Sequence, residues 1–154
     1  MATLNEVCDF LGQTRLALVG VSRNPKNFTR ALFREFASRG YDVVPVHPGL
    51  EEMEGRRCYA RVRDITPPVD GAVLLTRPDV TDYAVRDCAE AGVTRVWMYR
   101  AGGSGAVSPE AVEFCRAKGI RVVAGECPFM FFPDAGLIHR LHGCIRRLTG
   151  RYPA

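Results

Sequence analysis

"LALVGVSRNPKNFTR", residues Leu16–Arg30, decides how the rest of the chain reads. Leu16–Val19 is a continuous apolar run, the composition of a strand buried on both faces. Gly20 closes it where the backbone must turn sharply. From Phe28 the apolar residues recur at helical spacing. A strand, a glycine turn and a helix in that order open a parallel βαβ unit. A dinucleotide fingerprint would continue with glycine, one residue, glycine, two residues, glycine. This chain instead gives Gly-Val-Ser-Arg-Asn-Pro-Lys, Gly20 to Lys26.

The same alternation continues outward from that unit. Strand-length apolar runs occupy Leu16–Gly20, Asp42–His47, Val69–Thr76, Arg95–Tyr99 and Arg121–Ala124. Helical patterns lie between them. Phe28–Ser38 places Ala31, Leu32 and Phe36 on one face, and Val80–Ala91 does the same with Tyr83, Ala84 and Cys88. Ser108–Lys118 begins with an N-cap serine, a proline at the first helical position and Glu110 in the first turn. Gly40, Gly92 and Gly119 are placed to end these three helices. A short helix over Leu4–Leu11 and a C-terminal helix over about 134–149 complete the reading. The fold class expected is α/β. We expect a single Rossmann-like, doubly wound domain over residues 1–154, with a parallel sheet of about five strands and helices on both faces. Leu50–Thr66 is the least regular part and reads as a turn-rich link.

Bulk properties limit the partners. Of 154 residues, 47% are hydrophobic and 25% charged, ordinary for a globular chain. A net charge of +4 is too mild to argue for nucleic acid and suits an anionic small molecule. No apolar run approaches ~18 residues, so no membrane span is expected. The start "MATLNEVCDFLG" lacks the basic-then-apolar order of a signal peptide, and a cytoplasmic location is expected. The six cysteines, at 8, 58, 88, 115, 127 and 144, show no C-x-x-C pair and read as free thiols.

In an open parallel sheet a ligand sits beyond the carboxyl ends of the strands, where strand order reverses. The loop after the first strand is the most informative there. An anion would meet the Ser22 hydroxyl, the Asn24 amide, Arg23, Lys26 and the N-terminus of the next helix. Ser, Asn and Pro25 also make an ordinary turn. The second strand ends in His47-Pro48, with no acid before Glu51. A nicotinamide dinucleotide site wants a carboxylate at that position for the ribose hydroxyls. His47 reads either as a ligand contact or as a half-packed turn residue. Thr76 ends the third apolar run and Arg77 and Pro78 follow it, and Pro78 with Asp79 makes a good helix start. Gly102–Gly105 is a glycine-rich loop of weak specificity.

With these residues in place, the chain resembles the small stand-alone CoA-binding proteins. Their fold is similar to the N-terminal CoA-binding domain of the succinyl-CoA synthetase α subunit. The resemblance runs from about Leu4 to Met130 and rests on "VGVSRNPK", "GYDVVPVHP", "GRRCYARVRDITPPVD", "RVWM" and "AKGIRVVAGECPFM". It implies CoA or acyl-CoA as ligand. Gly20, Ser22, Arg23, Asn24, Pro25 and Lys26 would surround the phosphates. His47 and Pro48 would lie by the adenosine, and Thr76, Arg77 and Pro78 near the pyrophosphate or pantetheine. Where the family usually has asparagine this chain has His47, and Tyr99-Arg100-Ala101 stands in place of Gln-x-Gly.

Little in the chain points to catalysis. There is no G-x-S-x-G elbow. His139 and His142, with Cys144 near, have a spacing that two metal ligands could use, or simply mark the basic face of an amphipathic helix. Cys127 reads as a packed thiol, or as one near the pantetheine end. The reading that follows is a non-catalytic CoA-binding protein, with a homodimer left open. Two alternatives stand beside it. One is an NAD(P)-binding oxidoreductase or redox sensor. The other is an interaction module with a vestigial nucleotide site.

Overall fold

The computed structural model describes residues 2–100 and 103–132. The C-terminal helix expected over about 134–149, with His139, His142 and Cys144, lies outside the described residues. In chain order the elements are α1 (Leu4–Leu11), β1 (Arg15–Val19), α2 (Phe28–Ser38), β2 (Asp42–Val46), β3 (Glu52–Met53) and β4 (Arg56–Arg57). A 3-10 turn over Val62–Asp64 follows, then β5 (Gly71–Leu74), α3 (Pro78–Glu90), β6 (Arg95–Tyr99), α4 (Pro109–Ala117) and β7 (Arg121–Glu126). A last 3-10 turn spans Pro128–Phe131.

Five strands pair in the order β2-β1-β5-β6-β7, all parallel. This is the Rossmann-like α/β domain that the alternation predicts. Side chains alternate across each strand, so the apolar runs feed two cores. Ala17, Val44, Ala72, Leu74, Val96 and Met98 face α3 and α4, where Val85, Cys88 and Cys115 meet them. Leu16, Leu18, Val43, Val73 and Trp97 face α1 and α2, where Val7, Phe10, Leu32 and Phe36 meet them. Trp97 is fully buried and its indole N–H donates to the Glu126 carbonyl at 2.9 Å. That bond removes the polar cost of burying the ring.

Three differences from the expected elements have local causes. The third sheet strand covers only Gly71–Leu74, not Val69–Thr76. At its start, the Asp70 carboxylate turns aside to accept the Thr14 and Arg15 N–H groups at 3.3 and 2.8 Å. The link after β2 is more ordered than expected and holds the β3–β4 hairpin. On the helices, Ala31 is exposed while Phe33 takes the core position, and Tyr83 is 76% exposed. Tyr83 leaves the core because its face of α3 borders an open cavity.

Candidate functional site

Strand order reverses between β1 and β5: the chain leaves β1 toward β2 on one side, then returns to β5 on the other. The cleft predicted by such a switch point is present. It is a cavity of about 840 Å³ beyond the carboxyl ends of β1, β2 and β5.

One wall is the loop after β1. Gly20 adopts φ +87, and its N–H donates to the Val46 carbonyl at 3.1 Å, so the chain turns while still tied to β2. The next residues form a series of side-chain turns. The Asn24 N–H donates to Ser22 Oγ at 3.1 Å, and the Lys26 N–H to Asn24 Oδ1 at 3.0 Å. Asn27 caps α2 by accepting from the Thr29 N–H at 2.9 Å. Thr29 Oγ1 in turn accepts from the Ser22 N–H at 2.9 Å. Ser22 and Asn24 therefore shape the loop with their acceptor oxygens, as Asx and Ser turns do. Among the described residues, the Ser22 hydroxyl proton and the Asn24 amide NH2 have no acceptor.

The loop after β2 closes the neighbouring edge. The Gly49 N–H donates to His47 Nδ1 at 3.0 Å, which places the ring proton on Nε2. Burial, with the Arg23 guanidinium nearby as a lesser cause, holds the His47 pKa below the ordinary imidazole value. Arg23 lies across this loop so closely that a Cβ on Gly49 would overlap its guanidinium. Among the described residues Arg23 makes no ion pair.

The far wall comes from the link and from α3. Val80, Tyr83, Ala84 and Asp87 stand on one helical face at i, i+3, i+4 and i+7 and line the cavity, as do Ala60, Arg61 and Arg63. The Val62 N–H donates to Asp87 Oδ2 at 2.6 Å, which ties the link to the helix. Burial pushes the Asp87 carboxyl above the usual carboxylate range. Arg63 pairs with Glu90 and Asp87, and Arg86 sits over the Phe114 ring at 4.7 Å.

Six of the eleven residues expected at the site line this cavity: Gly20, Ser22, Arg23, His47, Pro48 and Thr76. Asn24, Pro25 and Lys26 are exposed and lie outside its lining. Arg77 and Pro78 line a second cavity of about 420 Å³, with Tyr99, Ser104 and Gly105. Thr76 borders both. Its hydroxyl donates to Thr81 Oγ1 at 2.7 Å, because Thr81 already donates to the Arg77 carbonyl. Arg77 itself pairs with Asp79 at 3.1 Å, both exposed. The sequence reading missed the whole far wall. Its only signal was "YARVRD", whose arginines sit in a segment without helical or strand periodicity.

Among the described residues, no group of three or more His, Cys, Asp or Glu could hold a metal, and no helix is long and apolar enough to cross a membrane. Cys127, after β7, is buried, and burial pushes its thiol up to about 11.

Fold and cavity together define a Rossmann-like domain with a ligand-sized cleft at its switch point. The family model of the CoA binding domain matches residues 14–133, and the chain belongs to that family. It is 24% identical over 113 residues to the uncharacterized protein YneT of Bacillus subtilis (strain 168), covering 73% of this chain and 81% of that one. It is 26% identical over 125 residues to the alpha subunit of ADP-forming acetate–CoA ligase II of Pyrococcus furiosus. That match covers 77% of this chain but only 27% of the subunit. Among solved structures, a hypothetical protein from Pyrococcus horikoshii OT3 is similar with a TM-score of 0.76 and 29% identity, over 82% of this chain and 87% of that one.

Proposed function

We propose that this chain binds CoA or acyl-CoA in the cavity between β1 and β5 and does no bond chemistry of its own on it. The observation that carries the reading is the cavity's pair of cationic walls, Arg23 on one side and Arg61 on the other, at the switch point of a CoA binding domain. CoA has two separated anionic groups, a pyrophosphate and a ribose 3′-phosphate, and so has use for both. In this reading the pyrophosphate lies along Gly20–Arg23 near the N-terminus of α2. His47 and Pro48 flank the adenosine, and the exposed Tyr83 ring offers the base a flat apolar face. Arg61 takes the 3′-phosphate. Pantetheine passes Thr76 toward Arg77 and Pro78. Asn24, Pro25 and Lys26 act by shaping the loop and by long-range charge. Carboxylates at the tip of β2 would repel that phosphate, and the tip carries none. Catalysis by His47 is disfavoured because its one ring lone pair already accepts from Gly49.

Calorimetric titration with CoA, dephospho-CoA and NAD tests this. CoA should bind best, dephospho-CoA more weakly and NAD least. Loss of a charge-assisted contact costs about tenfold in affinity. Arg61→Ala should therefore remove most of the preference for CoA over dephospho-CoA, whereas Arg23→Ala should weaken both. Tighter binding of NAD than of CoA, or no heat with CoA at about 1 mM, a concentration that still detects weak complexes, would overturn the reading.

A further inference from the structure

The loop that borders the cavity is tied to a part of the chain remote from the cavity. Arg30, in the first turn of α2, has a side chain only 13% exposed. Its Nη1 donates to the Ser22 carbonyl at 3.3 Å and, more weakly, to the Arg23 carbonyl at 3.5 Å. Its Nε and Nη2 donate to Glu54 Oε1 at 2.7 and 2.6 Å. Glu54 occupies the turn of the β3–β4 hairpin at φ +53, a left-handed conformation costly for a residue with a side chain. Arg34, one turn along α2, also donates to the Glu54 carboxylate, at 2.8 and 3.1 Å. Among the described residues those are its only side-chain hydrogen bonds.

Across a trans peptide the carbonyl and the following N–H point in opposite directions. Fixing the Ser22 carbonyl on Arg30 therefore turns the Arg23 N–H away from Arg30. That N–H has no hydrogen-bond partner among the described residues, whereas those of Ser22, Asn24 and Lys26 are used by the Thr29, Ser22 and Asn24 side chains. We infer that Arg30 is a positioning residue, held by Glu54, that orients the Ser22–Arg23 peptide so that the Arg23 N–H is left for a phosphate oxygen. Without Arg30 the peptide is free to flip and present a carbonyl, which repels an anion. The inference rests on the ligand reading above.

The test compares Arg30→Met, Arg30→Lys and Arg34→Met by CoA titration and by amide proton–nitrogen spectra. Both methionine variants remove one partner of Glu54, but only Arg30→Met releases the loop. Arg30→Met should weaken CoA binding about tenfold, the scale of one charge-assisted hydrogen bond. Arg34→Met should stay within about twofold, and Arg30→Lys should recover part of the loss. In ligand-free protein the Arg23 amide signal should move in Arg30→Met and not in Arg34→Met. Unchanged binding in Arg30→Met, or equal losses in both methionine variants, would overturn the inference. If the unsubstituted chain fails to bind CoA, the ligand reading falls, and the ligand-free spectra then decide Arg30 alone. An Arg23 signal that moves only in Arg30→Met upholds its positioning role, and an unmoved one ends it.

Discussion

Gly20 and Thr76 touch across the switch point: a Cβ placed on Gly20 would stand 2.9 Å from Thr76 Cγ2. The contact brings the turn after β1 against the end of β5. Gly20 also holds φ +87, so alanine there meets both a steric and a backbone cost. We expect Gly20→Ala to cost about 2 kcal/mol. For a domain of this size that lowers Tm by about 4–8 °C. Adding Thr76→Ser removes the clashing methyl but not the backbone cost, so the double variant should recover part of the loss. Thermal unfolding of the three proteins checks this, and a Gly20→Ala chain as stable as its parent would show the contact to be unimportant.

His47 should make stability depend on pH. Burial and Arg23 disfavour its charged form, so its folded pKa lies below the unfolded value near 6.5. A group depressed in this way contributes stability that is present above the unfolded pKa and is lost as pH falls through the folded one. Protonation would also break the Gly49 N–H bond to Nδ1. Stability should therefore fall as pH drops below the unfolded value near 6.5. His47→Asn should lack that share of the decline. Denaturant midpoints measured for both chains as pH is lowered provide the check. Identical slopes would mean that His47 carries no part of it.

Much of the fold was legible because buried parallel strands write themselves as apolar runs, and Gly40, Gly92 and Gly119 mark where three helices stop. The near half of the cleft was legible for the same reason. Gly20, Ser22, Arg23, His47, Pro48 and Thr76 each follow a recognisable strand end. The far half was not. Arg61 and Arg63 lie in a link held by contacts distant in the chain, among them the Val62 N–H bond to Asp87, 25 residues later, and the Arg63 pair with Glu90. Tyr83 read as core because helical periodicity shows that a face is apolar, not what it faces. Arg77 and Pro78 sit one and two residues beyond Thr76, but the start of α3 turns them toward a different cavity. Strand order, which creates the switch point, is set by pairings between distant segments and leaves no local mark.

The thiols separate a binding domain from a redox one. Cys8 is exposed, whereas Cys58, Cys88, Cys115 and Cys127 are buried. Burial pushes Cys115 and Cys127 up to about 11 and raises Cys58 and Cys88 as well. Only the thiolate attacks an alkylating reagent. At pH 8 a thiol with a pKa of 11 is about one part in a thousand thiolate, even before access is considered. Brief treatment of the native protein with iodoacetamide, followed by peptide mapping, should label Cys8 well before the four buried cysteines. Unfolding in denaturant should equalise them. Prior addition of CoA should leave the Cys8 rate unchanged, since Cys8 lies on α1, and α1 contributes no residue to the cavity. Labelling of Cys127 as fast as Cys8 would mean an activated thiol at the end of β7, and would favour the redox alternative over CoA binding.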